Sequence, residues 1–158
     1  MPVFHAVHQS SVRSPWAVKK VNKRHVLSQF GSRLEEEARI LKSLSHPNII
    51  GYRGYSRRQD GTHALLMEDG HQSLLDLLEE RAEAGAGPLP AATVEAVLGW
   101  LAEALHYLHT DRRILHGDIK SGNVLVVGDF ESVKLCDFGV TLPLNSEGRV
   151  SEPGRRWA

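Results

Sequence analysis

The chain has 158 residues, enough to bury one sizeable core, and its 41% hydrophobic content excludes wholesale disorder. Lys+Arg and Asp+Glu balance at 19 each, so no net field points to nucleic acid or an anionic membrane. One cysteine, Cys136, excludes an internal disulfide framework, and neither a membrane-length apolar run nor a signal peptide is present, so cytoplasm or nucleus is the expected location.

Val3 to Val7 reads as a strand, and Trp16 to Val21 as a second one after the turn-prone Ser14-Pro15. A helix fits Gln29 to Ser45, with Leu34, Ala38, Leu41 and Leu44 as its apolar stripe. His46-Pro47-Asn48 stops it, because the residue before a proline disfavours the helical region. Ile49 to Tyr55 and His63 to Glu68 read as strands flanking Asp60-Gly61, a hairpin signal. A helix over Ser73 to Ala84 ends at Gly85-Ala86-Gly87-Pro88.

The longest helix runs from Ala92 to His109, with Val94, Val97, Leu98, Leu101, Leu105 and Leu108 assigned to one face. Val124 to Val127 and Val133 to Cys136 form an expected hairpin across Gly128-Asp129. The polar stretch from Asn145 to Ala158 is expected to be poorly ordered. Strands with one helix among them, then helices and a hairpin, make an α+β order.

The chemistry concentrates in His116-Gly117-Asp118-Ile119-Lys120-Ser121-Gly122-Asn123 and the following Asp137-Phe138-Gly139. Asn123 and Asp137 are hard oxygen donors of the kind Mg²⁺ prefers, and Lys120 supplies a positive charge two residues after the Asp118 carboxylate. His106, His109 and His116 have no Cys or acidic pattern that completes a metal site, so a framework role is expected of them. Cys136 reads as a buried strand residue rather than a reactive thiol.

These two motifs, in this order, resemble the catalytic loop and metal-binding D-F-G of protein kinases. Ala17-Val18-Lys19 resembles the family's V-A-I-K strand, and Asp118-Ile119-Lys120 its serine/threonine branch, in particular kinases similar to MAP kinase kinases. The resemblance implies a bilobal protein-kinase-like fold: a small lobe over about 1–68, a hinge near 68–72, a partial large lobe over 73–144 and a tail over 145–158. It implies ATP and Mg²⁺ as cofactors and protein Ser/Thr hydroxyls as acceptors, with no nucleic-acid or membrane partner.

By the same resemblance Asp118 handles the acceptor hydroxyl, Lys120 neutralises charge, and Asn123 and Asp137 hold the metal. Lys19 would meet the phosphates, paired with Glu37, rather than the neighbouring Lys20. Met67, Glu68 and Gly70 would border the adenine; read without the family, Met67 is simply a flexible core residue. Gly117 stands where the family usually has the arginine that pairs with a phosphorylated activation loop.

No G-x-G-x-x-G precedes Lys19 and nothing after Gly139 resembles A-P-E, so the expected domain is incomplete at both ends. Leu101, Leu105 and Leu108 would then lie on an uncovered large-lobe face open to a partner. The alternative function is a catalytically impaired kinase-like fragment that binds or competes.

Overall fold

Alternation of buried and half-exposed residues builds the first sheet of this computed structural model, which describes residues 16–21, 29–68 and 72–151. The strand expected over Val3 to Val7 and the hinge residue Gly70 lie outside the described residues. The described chain falls into two compact units, one from the segments up to Ser45 and from Ile50 to Glu68, the other from His46–Ile49 and from residue 72 onward.

In the first unit β1 (Trp16–Val21), β2 (Tyr52–Arg57) and β3 (His63–Glu68) form an antiparallel sheet in the order β1-β3-β2. Ala17 stands opposite Met67 and Lys19 opposite Leu65. The helix α1 (Gln29–Lys42) packs on this sheet and buries Leu34, Ala38 and Leu41, with Leu65 and Met67 buried in β3. Each of these larger side chains contributes about 1.5–3 kcal/mol by leaving water. After Lys42 the backbone tightens into turns, and Ser43 Oγ donates to the Ile40 carbonyl at 2.7 Å. The helix therefore stops earlier than the Ser45 limit expected.

In the second unit α2 (Leu74–Glu83) starts at a capping box: Ser73 Oγ accepts from the Asp76 N–H at 3.2 Å while Asp76 accepts from the Ser73 N–H at 3.3 Å. The helix α3 (Ala91–His106) runs into a wider π turn over Tyr107–Asp111, closed by an Arg112 N–H bond to the Tyr107 carbonyl. The hairpin of β5 (Val124–Val127) and β6 (Ser132–Leu135) packs on α3 and buries Val124, Val126, Val133 and Leu135. A second small ladder pairs β4 (Ile114–Leu115) with β7 (Leu142–Pro143).

Further sequence-based expectations change. The strand expected from Ile49 begins only at Tyr52, because Ile49 pairs with Leu135 and the Asn48 carbonyl accepts from the Leu135 N–H at 2.9 Å. The apolar residues of α3 do not share one face: Val97 and Leu108 are buried, whereas Val94 and Leu98 are exposed. Leu108 is thus core, not part of an uncovered surface.

Cys136 lies one residue beyond β6 and is half-buried. Part of the supposed tail is ordered. Asn145 Oδ1 accepts the Glu147 and Arg149 N–H groups, both at 2.9 Å, and Leu144 bridges to Val150, so residues 144–151 turn back on themselves. No helix among the described residues is long and apolar enough to cross a membrane.

Candidate active site

The short loop between β4 and β5 presents the acidic centre of the second unit. Asp118 Oδ2 accepts from Lys120 Nζ at 2.6 Å and from Asn123 Nδ2 at 2.9 Å. Asn123 Nδ2 also donates to the Asp118 carbonyl at 2.8 Å, so both of its N–H bonds point at Asp118. Only the amide nitrogen can make that pair of contacts, which leaves Oδ1 as the atom able to meet a cation. Asn123 itself sits in the 3₁₀ turn Ser121–Asn123 and is buried. Its backbone carbonyl accepts from the Cys136 N–H at 2.9 Å, tying the loop to the chain just before Asp137.

Lys120 beside it is the main reason the Asp118 carboxyl lies below its usual range; burial opposes it in part, and Asn123 adds a smaller lowering. The lysine ammonium is correspondingly held above its own ordinary value by Asp118. Among the described residues, Asp118 Oδ1 accepts no hydrogen bond.

Asp137 adopts φ 62°, a left-handed conformation that costs an aspartate less than most side chains. Its Oδ1 accepts from the Gly139 N–H at 3.3 Å. Phe138 is fully buried, edge-on to the His116 ring with centroids 4.9 Å apart. Both Asn123 and Asp137 carry hard oxygen donors, a chemistry that suits Mg²⁺ rather than a soft metal.

The first unit holds a separate constellation. Lys19 Nζ reaches both carboxylate oxygens of Glu37, at 3.0 and 2.9 Å, and both residues are buried. Of the adjacent lysines, Lys19 shares its strand face with Ala17 and Met67, and Lys20 points to the opposite face. Met67 is buried beside them. The Glu68 N–H is committed to the Gly51 carbonyl at 2.8 Å, and its carboxylate accepts from the Gly51 N–H at 3.1 Å.

The model of the protein kinase domain matches residues 2–155. The chain belongs to the protein kinase family. This kinase chain is 51% identical over 144 residues to human lymphokine-activated killer T-cell-originated protein kinase, a match covering 89% of the chain and 45% of that protein. That relative is also called PDZ-binding kinase. The chain is also 37% identical over 136 residues to the mitogen-activated protein kinase kinase kinase ANP1 of Arabidopsis thaliana, covering 86% of the chain and 19% of the relative. The chain therefore spans less than half the length of these relatives.

Among solved structures it resembles a chain of the yeast RNA Pol II CTD kinase CTDK-1 complex, with a TM-score of 0.68 at 25% identity. That match covers 83% of this chain and 40% of the other, so the protein-kinase-like fold is shared.

Two supporting groups of the kinase chain escaped sequence reasoning. Asn48 Nδ2 donates to the Val133 carbonyl at 3.0 Å, and Lys134 Nζ donates to the Pro47 carbonyl at 3.1 Å. His46–Ile49 thus does more than end a helix: it lashes the chain to β6, whose near end, Leu135, is two residues before Asp137. The only signal was a buried-type Asn after His-Pro, which reads equally as a turn.

His116 was expected to be framework, and its bonds show how. Its Nδ1 accepts from the Asp118 N–H at 3.3 Å, so Nε2 carries the proton and donates to the Cys136 carbonyl at 3.0 Å. One neutral ring therefore joins the residue before Asp137 to Asp118. Burial pushes its pKa down, against the pull of Cys136 and the two aspartates.

Proposed function

We propose that this chain carries the phosphoryl-transfer residues of a serine/threonine protein kinase, moving the γ-phosphoryl group of ATP to a protein serine or threonine hydroxyl. The observation that carries the reading is the hydrogen-bonded group Asp118–Lys120–Asn123, with Asp118 Oδ2 doubly committed. This arrangement leaves Oδ1 for the acceptor hydroxyl.

Asp118 is a weakened base, because Lys120 and Asn123 stabilise its ionised form. Its role is then chiefly to orient the hydroxyl, taking the proton late, as the oxygen bonds to phosphorus and ADP departs. A loose transition state with little bond formation to the nucleophile asks for no stronger base. Lys120, on the same side as that carboxylate, would offset charge gathering on the phosphoryl oxygens. Asn123 and Asp137 would hold Mg²⁺, which when bound neutralises phosphate charge.

Lys19, held by both carboxylate oxygens of Glu37, would contact the nucleotide phosphates. Met67 would border the adenine, and any base contact from the Glu68 backbone would use its carbonyl, since its N–H is already engaged. The serine/threonine class rests on Lys120 two residues after Asp118. Protein substrates follow from the family.

The test is γ-phosphoryl transfer from labelled ATP to generic protein substrates, with Asp118→Asn as the comparison. Transfer should fall by about 10²-fold or more in the variant, while Mg-ATP titration is unchanged. A wild-type chain that neither binds Mg-ATP nor transfers phosphate would overturn the reading.

A further inference from the structure

The buried stripe of α1 does not begin at Leu34. Three residues earlier, on the same face, stands Gly31, which is buried as well. A glycine inside a helix costs about 1 kcal/mol relative to alanine, so its presence there calls for a packing reason. The reason is His63, the first residue of β3. A methyl group at position 31 would sit 2.8 Å from His63 Nε2, 3.0 Å from Cε1 and 3.1 Å from Cδ2. The closest of these is about 0.7 Å short of ordinary van der Waals contact.

The ring cannot simply swing aside. His63 Nδ1 lies 2.5 Å from the Tyr55 hydroxyl on β2, and the two rings sit 6.0 Å apart at a tilt. Burial, and secondly the Glu35 carboxylate, keep that hydroxyl above the usual phenol range, so it stays protonated and can donate to Nδ1. His63 is also framed by its strand neighbours, Val21 on β1 and Arg57 on β2. The knob is thus anchored on the sheet, and the notch is on the helix.

We propose that Gly31 and His63 are positioning residues: the glycine admits the His63 ring to the backbone of α1 and so sets the height at which Glu37 meets Lys19. Glu37 is six residues further along the same helix, about 9 Å away along its axis. A helix moves as a rod over that distance, so displacement at the notch reaches the ion pair. A pair held by two bonds of 2.9 and 3.0 Å tolerates little of it. The inference deepens the kinase reading of Lys19 and Glu37, but its test reads the pair itself.

The experiment measures acetylation of Lys19 by acetic anhydride, resolved by mass spectrometry, with Lys42 and Lys134 as internal references. The proteins are the full chain, Gly31→Ala, His63→Ala and the double variant, each with a urea unfolding curve. Gly31→Ala should raise Lys19 labelling severalfold while the reference lysines stay level. The double variant should return to within about twofold of wild type, the mark of a coupled pair.

Wild-type labelling of Lys19 in a folded Gly31→Ala would overturn the proposal, as would a double variant that labels as fast as Gly31→Ala. If Gly31→Ala does not fold, a folded double variant with protected Lys19 supports the contact, and an unfolded double variant overturns it. Mg-ATP titration of the wild type is run alongside. Its failure would remove the nucleotide reading and leave the labelling series to decide on Gly31 and His63.

Discussion

Asn123 is bonded to Asp118 twice, through the backbone carbonyl at 2.8 Å and the carboxylate at 2.9 Å. Both contacts need a donor, so Asn123→Asp replaces two attractions with repulsion between acceptors. The expected loss is about 1–3 kcal/mol near neutral pH, from unsatisfied acceptors and like charge. Acidification should narrow the gap as the crowded carboxylate pair takes up a proton. Melting temperatures of both proteins from about pH 8 down to pH 5 check this; a gap that is constant with pH would assign the loss to the missing donor alone.

Lys19 and Glu37 are buried together, with side-chain exposures of 9% and 4%. Glu37→Ala strands an ammonium in that setting and should cost about 3–5 kcal/mol, whereas the double change Lys19→Met with Glu37→Leu should cost far less. Urea unfolding of Lys19→Met, Glu37→Leu and the double variant gives the coupling. Additive losses would show that the charges do not depend on each other.

The His116 ring is neutral in the fold, with a pKa lowered first by burial. An unfolded chain binds a proton at this residue near pH 6.5, before the folded chain does. The unfolded state therefore holds more protons in the window below that value, so stability is full above it and declines as pH falls toward the folded pKa. Melting temperature should drop from neutral to mildly acid pH, and His116→Asn should flatten that part of the curve. Protonation would also end Nδ1 acceptance from Asp118, so Mg-ATP binding and stability should decline together.

Gly117 sits at φ 85°, and a Cβ there would lie 2.9 Å from the Val140 carbonyl oxygen. Gly148 shares the left-handed conformation at φ 73° but has open space around it. Gly148→Ala should cost about 1 kcal/mol, the backbone effect alone. Gly117→Ala should cost more, about 2–3 kcal/mol, since clash adds to strain. Denaturation midpoints rank the two; equal losses would mean that Val140 yields freely. Restoring an arginine at 117 meets the same obstacle.

Local rules made much of this fold readable. β1, β3 and β5 have the bounds expected from alternation, and Ser73 announced the start of α2. β4 and β7 were invisible because two-residue strands carry no period. The faces of α3 were merged because its apolar residues are too many to define one direction, and only packing against β6 separates Val97 from Leu98.

The turn at Asn145 was hidden by polar composition, since what orders it is one side-chain oxygen accepting two amides. At the candidate site the spacing of Asp118, Lys120 and Asn123 named the groups, while the bonds among them and the His116 relay depend on residues brought from up to 20 positions away. The Gly31 notch left no apolar signal at all.

The loop His46–Ile49 has a consequence for how the chain is made. It leaves the first unit after α1, pairs with β6, and only then does the chain return to supply β2 and β3. Its Asn48 bond to Val133 spans 85 positions. During synthesis, α1 and the whole first sheet leave the ribosome before that anchor has a partner. Asn48 and Ile49 must wait, with their polar groups in water, until β6 emerges. β6, translated later, thus completes a joint that lies between α1 and β2 in the sequence, and no cut in the polypeptide separates the two units as contiguous pieces.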